Sequence, residues 1–172
     1  MNSILLIFGA AFCIRLVSLS ISISHEKNLK AQGATEYGTF NSKVLSAAHV
    51  LYYVGSVFEA WQKKAEFNQY TIWGIGLFVF SMIMLAWVIL SLKEIWTVKL
   101  YILKGHRLNT NALFRWIRHP NYFLNIIPEL VAIAFICQSW NVFMIGFPLY
   151  MIPLVTRIIQ EEKAMRAEFA QY

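Results

Sequence analysis

Apolar residues along this chain come in five blocks of roughly membrane length, divided by short polar stretches; they do not alternate as a half-buried strand would. The blocks run from about Ile4 to Ile23, Val44 to Ala60, Tyr70 to Leu92, Tyr122 to Ile136 and Trp140 to Val155. Arg15 interrupts the first, the second is short, and the third is the most continuous. Only Cys137-Gln138-Ser139 separates the last two. At about 1.5 Å per residue each of these barely crosses a bilayer core, which predicts a tight helical hairpin. The tail RIIQEEKAMRAEFAQY then reads as a cytosolic C-terminal helix. The opening MNSILLIFGAAFCIRL lacks a basic leader and a convincing cleavage site, and is read as a retained helix. The pattern predicts an all-α integral membrane helical bundle of about five transmembrane helices, in a single domain spanning residues 1–172.

Composition supports this. Of the 172 residues 58% are hydrophobic and 14% charged, with mean hydropathy +0.53, whereas soluble chains carry about a quarter charged residues. The net charge of +6 could suggest nucleic acid, but the cations sit in short loops between apolar spans and no nucleic-acid signature is present. With the N-terminus outside, the inner side collects Lys27, Lys30, Lys43, Lys93, Lys99, Lys104, Arg107, Arg115, Arg118, Arg157, Lys163 and Arg166, and the outer side keeps Lys63 and Lys64. That bias places the loop from Lys93 to Asn121 and the tail from Arg157 on the cytoplasmic face. Cys13 and Cys137 lie inside apolar runs and read as small hydrophobes, with no disulfide or metal site inferred.

The polar chemistry concentrates in RWIRHPNYFLNIIPEL, residues 115–130, and in the tail. Pro120 suits the first turn of the fourth helix, where its missing N–H is no loss. His119 and Arg118 then stand at the positive end of that helix, a cradle for a carboxylate or phosphate. The plainer alternative is an interfacial basic and aromatic anchor. In the tail Arg157 and Glu161 are four apart on one helix face, where a solvated pair is the bland reading. On the same side of the membrane, a cationic cluster (Arg118, His119) and an anionic one (Glu161, Glu162) suit a zwitterionic amino-acid ligand. S-adenosylmethionine is such a ligand, and its sulfonium transfers a methyl group without a metal.

Glu129 lies two helical turns beyond Tyr122, so a straight helix puts both on one face. It either lines an acceptor pocket, taking a proton from an acceptor hydroxyl, or is structural, paired with Arg15. His25, Glu26, His49 and Glu59 read as packing or interface residues. Gly74-Ile75-Gly76 reads as a site of close helix packing, not a nucleotide loop.

HRLNTNALFRWIRHPNY, followed about forty residues on by Glu161-Glu162 and then F..Y, resembles the isoprenylcysteine carboxyl methyltransferase family of integral membrane enzymes. WTVKLYILKG and KNLKAQGATEYG look like its bacterial branch associated with alkylpyrone O-methylation. The likeness is good over about residues 90–172 and loose before. It implies an S-adenosylmethionine-dependent O-methyltransferase acting on a carboxyl or hydroxyl oxygen of a lipophilic acceptor that enters from the bilayer, with the cofactor part at about 93–172. It implies cofactor contacts at Lys99, His106, Leu108, Asn109, Phe114, Arg118, His119, Pro120, Asn121, Tyr122, Glu161 and Glu162, and a substrate-side role for Arg157. Two departures stand out: Ala112-Leu113-Phe114 replaces the family's G-x-Y, removing a phenol, and Leu124 replaces a glycine and should narrow the space beside the helix. A phospholipid or amine N-methyltransferase, an NADPH-dependent sterol or enone reductase and a non-enzymatic membrane scaffold remain as alternatives.

Overall fold

The computed structural model describes residues 2–102 and 119–168. Among the described residues five helices make up the bundle: α1 (Asn2–Ala31), α2 (Thr39–Gln62), α3 (Gln69–Leu92), α4 (Asn121–Cys137) and α5, which opens with a wide π-turn at Val142–Gly146 and continues through Phe147–Glu168. Three are long and apolar enough to cross a membrane alone, over Ser3–Ala31, Gln69–Ile95 and Val142–Ala167. Leu6, Leu51, Leu90, Met144 and Ile152 are strongly exposed, as side chains facing lipid are. The chain is an integral membrane protein.

The helices begin and end for local reasons. The Asn68 side chain accepts the N–H groups of Tyr70 and Thr71, and the Thr71 hydroxyl takes the Asn68 N–H, which closes the start of α3 with a reciprocal cap. Gln138 turns the chain with φ 53, so α5 follows α4 at once and the expected hairpin is formed. Glu59, at the far end of α2, accepts the N–H groups of Asn141 and Val142 at 3.0 and 2.9 Å, capping α5 and anchoring the hairpin.

Helix α4 forms the centre: Leu130, Ala132, Ile133 and Ala134 have no exposed surface. Its closest neighbour is α3. A Cβ on Gly74 would stand 2.7 Å from the Ile136 nitrogen and 2.9 Å from the Ala132 carbonyl, backbone that cannot yield, so only glycine allows this approach. Gly76 has open space around it and takes no part.

Three features differ from the sequence expectation. The last apolar block and the C-terminal segment form one continuous helix, because nothing between Val155 and Arg157 breaks the i→i−4 ladder. The first and second blocks are longer as helices than as apolar runs, because polar residues at their ends extend the ladder beyond the hydrocarbon. A two-stranded antiparallel ribbon also appears, in which β1 (Thr35–Tyr37) pairs with β2 (Leu100–Ile102).

The ribbon lies at the polar end of the bundle, which gathers the end of α1, the starts of α2 and α4, and the last turns of α5. His25 bonds the Trp96 carbonyl at 2.9 Å, the Val98 N–H donates to Ser22 at 2.8 Å, and Lys99 pairs with Glu26 at 2.7 Å. Lys63 and Lys64 lie at the opposite end; Lys104, Arg107, Arg115 and Arg118 lie outside the described residues.

Candidate functional site

At the polar end, the His119 carbonyl accepts the N–H groups of Tyr122 and Phe123, which makes His119 part of the first turn of α4. Asn121–Ile126 is wound as a π-turn, a wide turn often found at functional sites. From this turn the Tyr122 hydroxyl reaches α5 and donates to Glu161 Oε2 at 2.6 Å. The His119 ring stacks on Tyr122 with centroids 5.8 Å apart. Its Nε2 is 3.0 Å from Glu162 Oε1, and its Nδ1 is 3.5 Å from Glu161 Oε1. Arg166 pairs with the other oxygen of Glu162 at 3.1 Å. The imidazole is buried while the two carboxylates are partly exposed, so they border a face that a polar ligand can reach.

Burial alone would lower the His119 pKa; the two carboxylates outweigh it and hold the imidazolium above its ordinary value of 6.5. A raised folded-state value stabilises the fold fully below the unfolded value, and that contribution is lost as pH rises through the raised one. The melting temperature of purified protein is therefore expected to fall as pH rises from below 6.5 through the raised value, with the step absent in His119→Gln. An unchanged step in the variant would assign it to other groups.

One turn before Glu161, Arg157 is only 2% exposed. Its Nη1 donates to Ser42 Oγ at 2.7 Å and its Nη2 to the Val98 carbonyl at 3.0 Å, while Nε has no partner. The solvated pair with Glu161 is not formed: this guanidinium sits inside the protein on neutral acceptors. Asn125, 1% exposed, donates to Asn121 at 3.2 Å and leaves its Oδ1 without a partner.

The structure thus brings together His119, Tyr122, Glu161 and Glu162, with Pro120, Asn121 and Arg157 in the same elements. Lys99 does not join them; its ammonium is committed to Glu26, itself bonded to Lys30 and Tyr101. His106, Leu108, Asn109, Phe114 and Arg118 lie outside the described residues. Leu124 packs toward Leu85, Val88 and Trp96 rather than beside the site, so that departure from the family pattern alters α3–α4 packing.

Glu129 is separate again. Fully buried, it receives Arg15 Nε at 2.8 Å and the Tyr53 hydroxyl on Oε1, with His49 Nε2 3.9 Å away. His49 in turn bonds Tyr150 at 3.2 Å and stacks on Tyr53. The expectation that Glu129 shares a face with Tyr122 assumed a straight helix. The intervening π-turn shifts the register by about one residue, so Tyr122 meets α5 while Glu129 meets α1 and α2. Sequence reasoning missed Ser42, Asn125 and the Val98 carbonyl. The first two are ordinary polar side chains with no distinctive spacing, and the third is backbone.

These features define a helical membrane protein whose polar end joins an imidazole to two carboxylates beside a buried guanidinium. Residues 74–167 match the isoprenylcysteine carboxyl methyltransferase (ICMT) family, and the chain belongs to that family of membrane methyltransferases. It is 49% identical over 158 residues to an uncharacterized protein of Haemophilus influenzae, covering 92% of each chain. It is 26% identical over 153 residues to the uncharacterized protein YpbQ of Bacillus subtilis, covering 88% of this chain and 90% of that one. No solved structure matches it.

Proposed function

We propose that the polar end of the bundle binds S-adenosylmethionine and that the protein methylates a carboxyl or hydroxyl oxygen of a lipophilic acceptor. One observation carries the reading: His119 and Tyr122 meet Glu161 and Glu162 across two helices, one turn from a buried Arg157 that has no carboxylate partner among the described residues. The donor set fits the cofactor's zwitterionic end. Glu161 and Glu162 can accept hydrogen bonds from an ammonium, and His119 at the start of α4, whose protonated form the two carboxylates favour, can hold a carboxylate. The unpartnered Asn125 Oδ1 and Arg157 Nε are buried polar atoms of the kind a bound ligand satisfies.

When bound, the cofactor supplies an electrophilic methyl group on sulfonium. The protein's part is to position and desolvate. Glu161, Glu162, His119 and Tyr122, with the family's loop positions His106, Leu108, Asn109, Phe114 and Arg118 and the helix start at Pro120 and Asn121, form the cofactor side; Lys99 contributes through Glu26 to the base of the loop. Arg157 holds the acceptor's oxyanion, and the acceptor's apolar body enters between helices from the bilayer. Glu129 is assigned to holding α1 on the bundle. The loop cations orient this end toward the cytoplasm, with the N-terminus outside.

The test is calorimetric titration of detergent-purified protein with S-adenosylmethionine, with NADPH as comparison, repeated on His119→Ala and Glu161→Ala. Micromolar binding of the first ligand alone, lost in both variants, is expected. NADPH binding would move the assignment to a reductase, and binding of neither by folded protein would leave the charges as anchors.

A further inference from the structure

The start of α2 grips α5 at three successive levels. The Asn41 side chain donates to the Pro153 carbonyl at 2.9 Å, and Arg157 donates to Ser42 at 2.7 Å. Gly38, in the left-handed region at φ 63, lies so close to Gln160 that an added Cβ would stand 2.1 Å from its Oε1. Only the middle contact touches a group proposed to act on substrate. Ser42 is 6% exposed, and its hydroxyl makes two hydrogen bonds of opposite sense. It donates to the Gly38 carbonyl at 3.0 Å, which turns its lone pairs toward Arg157.

A guanidinium has five N–H donors in a fixed plane, so two well-separated acceptors fix its orientation. The guanidinium lies against the Tyr122 hydroxyl, and its two acceptors are Ser42 Oγ on α2 and the Val98 carbonyl on the segment leading to β2. Both are neutral. They orient the cation without neutralising it, and they leave the buried Nε–H unpartnered. A carboxylate in place of Ser42 would quench the charge, and an alanine would leave the plane held at one point.

We infer that Ser42 is a positioning residue for methyl transfer, supplied by the part of the chain before the family match, which holds the Arg157 guanidinium aimed and un-neutralised for an anionic acceptor oxygen. This rests on the proposed role of Arg157. It predicts that the protein prefers an anionic acceptor to the same molecule already methylated, and that Ser42 maintains this preference.

The experiment compares binding of two probe pairs to purified protein in one detergent: N-acetyl-S-farnesylcysteine against its methyl ester, and a long-chain 4-hydroxy-2-pyrone against its 4-O-methyl ether. An anion and its neutral methyl derivative partition differently into micelles, so each pair's ratio is read relative to that of Arg157→Gln in the same detergent, where partition is the same. Wild type is expected to favour the anionic member of at least one pair. Ser42→Ala should reduce that preference about tenfold, the loss of one charge-assisted hydrogen bond. Ser42→Thr, which keeps the hydroxyl, should restore it. Asn41→Ala removes a clamp contact that does not touch Arg157; it should lower the melting temperature but leave the preference intact. Preference lost in Arg157→Gln yet unchanged in Ser42→Ala overturns the inference alone. An equal loss in Asn41→Ala makes Ser42 merely structural and also overturns it. No preference in wild type overturns the reading of Arg157 and this inference with it.

Discussion

Replacing Glu129 with alanine is expected to destabilise the folded bundle by about 3–5 kcal/mol, because it strands the Arg15 guanidinium beside apolar helix faces. Arg15 Nε is 2.8 Å from a carboxylate that has no exposed surface, and Tyr53 donates to the same oxygen. Removing one member leaves a charge that neither lipid nor the apolar core can solvate. Arg15→Met should be comparably damaging for the opposite reason, leaving the carboxylate bare or protonated. The double variant Arg15→Met/Glu129→Met is expected to recover most of the loss, since an apolar pair of similar volume needs no solvation. Thermal unfolding in a fixed detergent, scored by retention of monodisperse protein, measures all three. Losses that simply add in the double variant would mean the two residues act separately, contrary to the structure. Helix α1 gives the pair its importance: much of its surface faces outward, and it is otherwise tied on through Ile4, Ala11 and the polar contacts of Ser22, His25 and Glu26.

What could be read from the sequence follows from the range of each interaction. Helix α3 was legible almost to the residue, because its continuous apolar run is a local signal. The meeting of His119 with Glu161 and Glu162 was legible through the motif and through the shared side of the membrane that loop charge implies. The pairing of Glu129 with Arg15 stood as one of two readings, since two opposite charges in apolar spans suggest a partnership without fixing depth. The ribbon was not legible: Thr35–Tyr37 and Leu100–Ile102 are three residues each, too short for an alternation to register, and they pair across the whole of α2 and α3. The π-turns were invisible too. Nothing in Asn121–Ile126 departs from an ordinary helical composition, and the wide turn arises from packing against neighbours. That turn is why a face drawn by counting seven residues from Tyr122 led away from Glu129's real partners.

Arg157 is where fold and proposed chemistry join, and its replacement is expected to have the largest effect on activity. Arg157→Gln should lower methyl transfer to the probe acceptor by about 10²–10³-fold, the usual scale for deleting a preorganised donor to a reacting oxygen. Arg157→Lys should not rescue it. A lysine ammonium is a single point and cannot reach the Ser42 hydroxyl and the Val98 carbonyl together while presenting a further donor. Both variants also lose contacts that hold α5 to α2 and to the segment before β2, so a drop in melting temperature will accompany the drop in rate. The separation comes from the cofactor side: the bonds of His119 and Tyr122 to Glu162 and Glu161 do not pass through Arg157, which meets this group at the Tyr122 hydroxyl, so binding of S-adenosylhomocysteine should fall far less than turnover. The measurement is release of S-adenosylhomocysteine under saturating donor, paired with calorimetric binding of the same product. Cofactor binding lost in step with turnover would reassign Arg157 to the cofactor side. Turnover at the wild-type rate would remove the acceptor role and leave a guanidinium that serves only to brace three segments at the polar end of the bundle.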